Sequence, residues 1–110
     1  MTKSKIETYI GFSIRSRKIL FGVDNIEKQR KGVCLIIADE ELSENSYKVL
    51  IKAKEKFDCP LLSANAGVLG EHTYRPKVKA VAVTDKNLAS AILSALTSEQ
   101  QYKFYSGGND

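Results

Sequence analysis

Apolar residues recur every three or four positions in several parts of the chain, which is the period of an amphipathic helix. Long helices are predicted over residues 5–16, from Ser43 or Asn45 to Phe57, and from Thr84 or Asp85 to Leu96. Ser4 and Glu7 have the spacing of a capping box, which sets the start of the first helix. A shorter helix is predicted over residues 24–31, with Gly32 at its end.

Four other short runs are mainly apolar and predict strands, and the second and fourth of them are typical of strands buried on both faces. They cover residues 18–21, 33–38, 61–64 and 78–83. The segment between the last two runs contains two glycines and is a loop or a short helix. Helices and strands alternate along the chain, which predicts an α/β fold with helices on both faces of a central sheet.

The basic charge lies mostly in the first third of the chain. The 110 residues predict a single domain, and their formal net charge is +4. Residues 1–31 hold eight Lys and Arg against three Asp and Glu, a local excess of +5. This excess indicates a polyanionic partner, with a solvated basic surface as the alternative.

Targeting segments and metal-binding motifs are not found in the sequence. No apolar run reaches the length of about 18 residues that a membrane helix needs, and the basic N-terminus lacks the apolar core of a signal peptide. Cys34 and Cys59 match no zinc-binding spacing, and there is one histidine. We expect a cytoplasmic protein with no membrane association, no cofactor, no metal, and two buried or half-buried thiols.

Catalytic motifs are also missing. Neither the P-loop pattern nor the dinucleotide-binding glycine pattern occurs. His72 is the only histidine and follows a glycine-containing segment, which favours a surface role over a catalytic one. Asp39, Glu40 and Glu41 follow a buried strand, where they could bind magnesium in a small ligand-binding domain, or could simply favour the start of the next helix. We expect that the protein is not an enzyme.

Four segments together resemble one family. Residues 10–22, "IGFSIRSRKILFG", resemble the segment G-L-A-x-R-A-G-K-L-x-x-G of the L-seven-Ae and L-thirty-e class of ribosomal proteins, which bind kink-turn RNA. "VCLIIADEELSEN", "CPLLSANAGVLG" and "KVKAVAVTDKNLASAIL" resemble later parts of the family pattern and occur in the same order. The resemblance covers about residues 6–97, including Gly11, Arg15, Lys18 and Gly22 in register.

The resemblance implies a fold and a function. The fold would be a three-layer α-β-α sandwich with a mixed four-stranded sheet, formed by residues 1–97. A polar, flexible tail over residues 98–110 would follow. The function would be RNA binding as part of a ribonucleoprotein, with a kink-turn or ribosomal RNA as the partner and ribosomal proteins as further candidate partners.

The family binds RNA through three parts of the chain, and the resemblance carries these parts over by position. At the second helix, Gly22 matches the family's Gly, Asp24 its Asn, Asn25 its Glu and Lys28 its Lys. Asp24 and Asn25 would therefore read base edges. Phosphate contacts are expected from Arg15, Arg17, Lys18, Lys28, Arg30 and Lys31. The acidic residues that follow the strand over 33–38, called the acidic exit, would contribute Asp39 and Glu40. The apolar loop that ends the strand over 61–64 and follows it would contribute Ala64, Asn65, Ala66 and Val68.

Two alternatives remain open at the second helix. Asp24 and Glu27 have the spacing of a capping box, which would satisfy the same N–H groups that a phosphate would use. The family's Asn-Glu pair is replaced here by Asp24 and Asn25. The domain could therefore have lost the ability to recognise kink-turn RNA and serve instead as a protein-interaction module.

Overall fold

A computed structural model describes residues 4–105, which form five α-helices, one 3₁₀ turn and five strands. The elements are α1 (Lys5–Arg15), β1 (Ile19–Phe21), α2 (Val23–Lys28), β2 (Leu35–Asp39), α3 (Glu44–Phe57), β3 (Leu61–Ala64), α4 (Val68–Thr73), β4 (Ala80–Val83), α5 (Lys86–Ala95), the 3₁₀ turn Leu96–Ser98, and β5 (Tyr102–Phe104). The predicted order of helices and strands is therefore confirmed up to α5.

The strands form one mixed sheet in the order β1-β4-β2-β3-β5. β2 and β3 are parallel, and the other neighbouring pairs are antiparallel. The α/β class is confirmed, but the predicted number of four strands is wrong.

The fifth strand comes from the segment that was predicted to be a flexible tail. β5 pairs with β3, and the Tyr102 side chain enters the core with 3% of its surface exposed. The Tyr102 hydroxyl lies 2.6 Å from Nδ1 of the buried His72, so both polar groups are satisfied. His72 is therefore a core residue rather than a surface one, and residues 106–110 of the predicted tail lie outside the described part of the chain.

Two sets of helices cover the two faces of the sheet. Alternate residues of β2 point to opposite faces: Leu35 and Ile37 join one apolar cluster, and Ile36 and Ala38 join the other. The first cluster contains residues of α1, α4 and α5, and the second contains residues of α2 and α3. The protein is thus a three-layer α-β-α sandwich around a five-stranded sheet.

Three of the long helices begin at capping side chains. Ser4 accepts from the N–H of Glu7, Ser43 from Ser46, and Asp85 from Leu88. Of the alternatives that the sequence left open, Ser43 and Asp85 are therefore the caps of α3 and α5.

The strand directions give the sheet two different edges. β1 and β2 both run antiparallel to β4, and β3 runs parallel to β2, so β1, β2 and β3 end on the same side. We call this side the carboxyl edge; it contains residues 21–22, 39–40, 64–65, 79–80 and 101–102. The opposite side is the amino edge, where β1, β2 and β3 begin at Ile19, Leu35 and Leu61.

Among residues 4–105, no helix is both long enough and apolar enough to cross a membrane. Both cysteines are free thiols, with Cys59 buried and Cys34 half-buried, as the sequence predicted.

Candidate nucleic-acid interface at the carboxyl edge

A row of backbone hydrogen bonds joins the three predicted RNA-binding segments at the carboxyl edge. The N–H of Gly22 donates to Ala80, that of Asp39 to Lys79, and that of Glu40 to Ala64. The N–H of Asn65 continues the row by donating to Gln101. The bond lengths are 2.8 to 2.9 Å. The start of α2, the acidic exit of β2 and the loop after β3 are therefore neighbours in space, although they lie far apart along the chain.

Gly22 connects β1 to α2. Its N–H belongs to the sheet, and its carbonyl accepts the N–H of Ile26 at 3.2 Å, the first hydrogen bond of the helix. Its backbone adopts φ 91° and ψ 149°, in a region that favours glycine. A glycine is needed here because the chain turns from strand to helix within one residue.

The predicted capping box at Asp24 is wrong. α2 begins at Val23 with Gly22 as its N-cap, and no side chain caps it. Asp24 is therefore the second residue of the helix and is exposed, as is Glu27. The helix begins earlier because Gly22 ends the pairing of β1 with β4. α2 also ends at Lys28, before the predicted end at residue 31.

Asn25 is held against the end of β1. Its Nδ2 donates to the carbonyl of Phe21 at 2.8 Å, while the residue stays exposed. This bond fixes the side chain at the carboxyl edge. Lys28, one helical turn after Asp24, is also exposed and lies on the same face of α2 as Asp24.

Asp39 has a structural role that the sequence did not predict. Its side chain is completely buried, and its two carboxylate oxygens accept from the N–H groups of Glu41 at 2.7 Å and Gly67 at 2.9 Å. The ammonium of Lys79 lies 3.7 Å from the second oxygen. Asp39 is therefore not available for direct contact with RNA, and it holds the loop after β3 in place.

The loop after β3 has an exposed part and a buried part. Ala64 and Val68, predicted to contact a base, belong to the core and are 1% and 7% exposed. They are buried because they end β3 and begin α4. Asn65 and Ala66 are exposed, and Ala66 donates its N–H to the exposed Glu40 at 2.9 Å.

A second group of basic residues, not predicted from the sequence, lies at this edge. Arg75, Lys77 and Lys79 alternate in the segment that leads into β4. The Arg75 guanidinium lies 4.2 Å from the centroid of the Phe21 ring, next to Gly22. Stacking on a ring leaves the guanidinium N–H groups free to contact phosphate. The alternating basic residues of "YRPKVK" were the signal in the sequence.

Close packing against Gly70 holds this basic segment in place. A Cβ atom at Gly70 would lie 2.9 Å from the carbonyl oxygen of Pro76, too close for any other residue. The N–H of Arg75 also donates to the carbonyl of Gly70 at 3.0 Å. The position of Arg75 beside Phe21 therefore depends on α4.

Several predicted phosphate contacts lie away from this interface. Lys18 precedes β1 and accepts the N–H of Thr84 through its carbonyl, which places it at the amino edge with Arg17. Arg30 and Lys31 follow α2 and precede β2, so they also approach the amino edge. Arg15, the last residue of α1, lines a groove together with Lys18 and so belongs to the amino edge as well. The basic excess of the first third is thus divided between two places, because β1 and α2 run in opposite directions.

The acidic exit is not arranged as a metal site in the described part of the chain. Residues 4–105 contain no group of three or more His, Cys, Asp or Glu side chains that could hold a metal ion. Both oxygens of Asp39 already accept N–H groups, and Glu41 lies 4.0 Å from the ammonium of Lys79.

Comparison with known proteins supports the fold alone. No family model matches this sequence, and no curated protein matches it either. Among solved structures, a protein of unknown function from Bacillus halodurans C is similar, with a TM-score of 0.71 and 18% sequence identity. The similarity covers 86% of this chain and 99% of that one. The two chains therefore share the same architecture over most of this chain and nearly all of the other.

Proposed function

We propose that this protein is an RNA-binding protein of the L-seven-Ae and L-thirty-e class, which binds a kink-turn or a related structured RNA at its carboxyl edge. The observation that carries the proposal is the row of backbone hydrogen bonds from Gly22 to Gln101. It brings together the three segments whose sequences resemble the RNA-binding parts of that class. Ligands of open α/β sheets also bind at the carboxyl ends of strands.

Base reading is assigned to the exposed polar residues that begin α2. The amide of Asn25 is oriented by its bond to Phe21, and an amide can both donate to and accept from a base edge. The carboxylate of Asp24 can accept from guanine N–H groups. Unpaired bases of a kinked RNA are the ones whose edges such side chains can reach.

Phosphate contacts are assigned to Arg75 and Lys77, with Lys28 on the helix. Arg75 is exposed and stacked on Phe21, so its charge is held beside Gly22 without a carboxylate partner among residues 4–105. Asp39 and Glu40 act as positioning residues, since they bind the backbone of the loop that carries Asn65 and Ala66. The loop then presents its exposed residues to a base next to α2.

The test is a binding titration at several salt concentrations, with a kink-turn RNA and an unkinked duplex of the same length. We expect tighter binding to the kink-turn at every salt concentration, because base contacts add to the shared phosphate contacts. Equal affinity for the two RNAs, or binding of neither, would refute the proposal. A cytoplasmic ribonucleoprotein, ribosomal or otherwise, is the setting that this function implies.

A further inference from the structure

A groove lies at the amino edge, away from the proposed interface. It has a volume of about 490 Å³ and runs between the end of α1 and the start of α5. The residues that line it are Phe12, Arg15, Ser16, Lys18, Asp85 and Leu88. Lys18 is joined to the end of β4, because its carbonyl accepts the N–H of Thr84 at 2.8 Å.

Cations without ion-pair partners surround this groove. Arg15 and Lys18 line it, Arg17 lies between them in sequence, and all three are exposed. In the part of the chain that the structure describes, none of the three forms an ion pair. The one acidic residue of the groove, Asp85, already accepts the N–H of Leu88 at 2.8 Å as the cap of α5. The groove therefore favours an anion.

An exposed aromatic ring lies beside these cations. Phe12 is 45% exposed, and the Arg15 guanidinium lies 4.8 Å from its ring centroid. Rings next to basic side chains are the arrangement by which proteins bind single-stranded nucleic acid, since bases stack on the rings and phosphates contact the cations.

We propose that this groove binds unpaired ribonucleotides, with a base on Phe12 and the backbone phosphates on Arg15 and Lys18. The choice of RNA as the polyanion rests on the proposed function. The groove lies at the amino edge, at the other end of the strands from the carboxyl edge. One protein would therefore hold a structured RNA at one edge and an unpaired strand at the other. The protein would thus bridge two segments of RNA.

The experiment uses the full chain saturated with unlabelled kink-turn RNA, to which a short fluorescent unpaired oligoribonucleotide is added. Fluorescence anisotropy measures binding of the oligonucleotide, and native mass spectrometry counts the RNAs on each protein. We expect a complex of one protein with both RNAs. Displacement of one RNA by the other would overturn the proposal, because it would indicate a single shared surface.

Two substitutions test the assigned residues. Phe12→Ala should weaken oligonucleotide binding about tenfold through loss of one stacked base. Lys18→Gln should lower the slope of log affinity against log salt by about 0.7, the value for one phosphate contact with a single strand. The matched control is Lys48→Gln, an exposed lysine of α3 on the other face, which should change neither. The thermal midpoint of each variant confirms that it folds.

The outcomes separate this inference from the proposed function. If Phe12→Ala and Lys18→Gln bind the oligonucleotide as the wild type does, or if Lys48→Gln weakens binding equally, the groove assignment is wrong. If the kink-turn binds no better than a duplex while the oligonucleotide effects hold, the proposed function fails and the groove remains. Binding of vesicles that contain phosphatidylserine, without binding of the oligonucleotide, would also overturn the inference.

Discussion

The buried carboxylate of Asp39 accepts the N–H of Gly67 at 2.9 Å and so joins the end of β2 to the loop after β3. The other oxygen accepts the N–H of Glu41 at 2.7 Å. The acidic exit thus has its role inside the protein, where it fixes the backbone that the carboxyl edge presents to a ligand.

Replacing Asp39 should destabilise the fold. Asp39→Ala leaves the N–H groups of Gly67 and Glu41 without their buried acceptor, which should lower the free energy of unfolding by about 3 kcal/mol. Urea denaturation measures this change. Glu41→Ala is the control, since that residue is exposed and its contact with Lys79 is a surface pair worth about 0.5 kcal/mol. Equal stability of the two variants would contradict the assigned role.

Asp24 should affect RNA recognition without affecting stability. Because it does not cap α2, Asp24→Ala should change the free energy of unfolding by less than about 0.5 kcal/mol. Ser43→Ala, which removes a real cap from α3, should cost about 1 kcal/mol. The preference for kink-turn over duplex should fall by about 1–3 kcal/mol in Asp24→Ala, a range taken from base contacts in DNA grooves. A destabilised variant with an unchanged preference would support a capping role instead.

Arg75 should contribute a phosphate contact. Arg75→Gln removes the charge held on Phe21 and should lower the slope of log affinity against log salt by about 1. Both kink-turn and duplex affinities should decrease, since a phosphate contact carries no sequence information. Lys54→Gln removes the same charge from the end of α3, close to the amino edge, and should leave the slope unchanged. An unchanged slope in Arg75→Gln would exclude Arg75 from the interface.

The buried thiol of Cys59 should make the folded protein less stable as the pH becomes alkaline. Burial raises the pKa of Cys59 from 9.0 to about 11, and the half-buried Cys34 adds to the effect. The folded state therefore keeps the proton at a pH at which the unfolded chain has lost it. This contribution to stability is complete below about pH 9 and is lost as the pH rises towards 11. Urea denaturation between pH 9 and pH 11 measures the free energy of unfolding of the wild type and of Cys59→Ala. This free energy should decrease less with rising pH in the variant, and identical decreases in the two proteins would contradict the assignment.

Periodicity was sufficient to predict most of the fold. The long helices and the continuous apolar runs have strong signals, because burial on one or both faces determines the period of apolar residues. Capping side chains set the starts of α1, α3 and α5 within one or two residues. β5 was missed because only Tyr102 of its three residues faces the core, and three residues carry too little pattern.

The composition of the candidate interface could be predicted only in part. The three segments were identified by resemblance, but the residues buried within them were not. Asp39 and Val68 border loop segments in the sequence, and only the packing of the loop after β3 against the end of β2 shows that they are covered, whereas Ala64 already lay within the predicted strand. Which cations lie together also depends on strand direction, which sequence patterns do not give.

Whether RNA binds at the carboxyl edge is tested most directly by NMR. The isotopically labelled protein is titrated with kink-turn RNA, and its backbone amide resonances are followed. We expect the largest shifts at residues 22–25, 65–67 and 75–77, which surround the carboxyl edge. Amides at the end of α3, such as Lys54 and Glu55, should change little, because α3 ends just before β3 begins at the amino edge. Shifts centred on the end of α3, or the absence of shifts at the start of α2, would contradict the claim that RNA binds at the carboxyl edge.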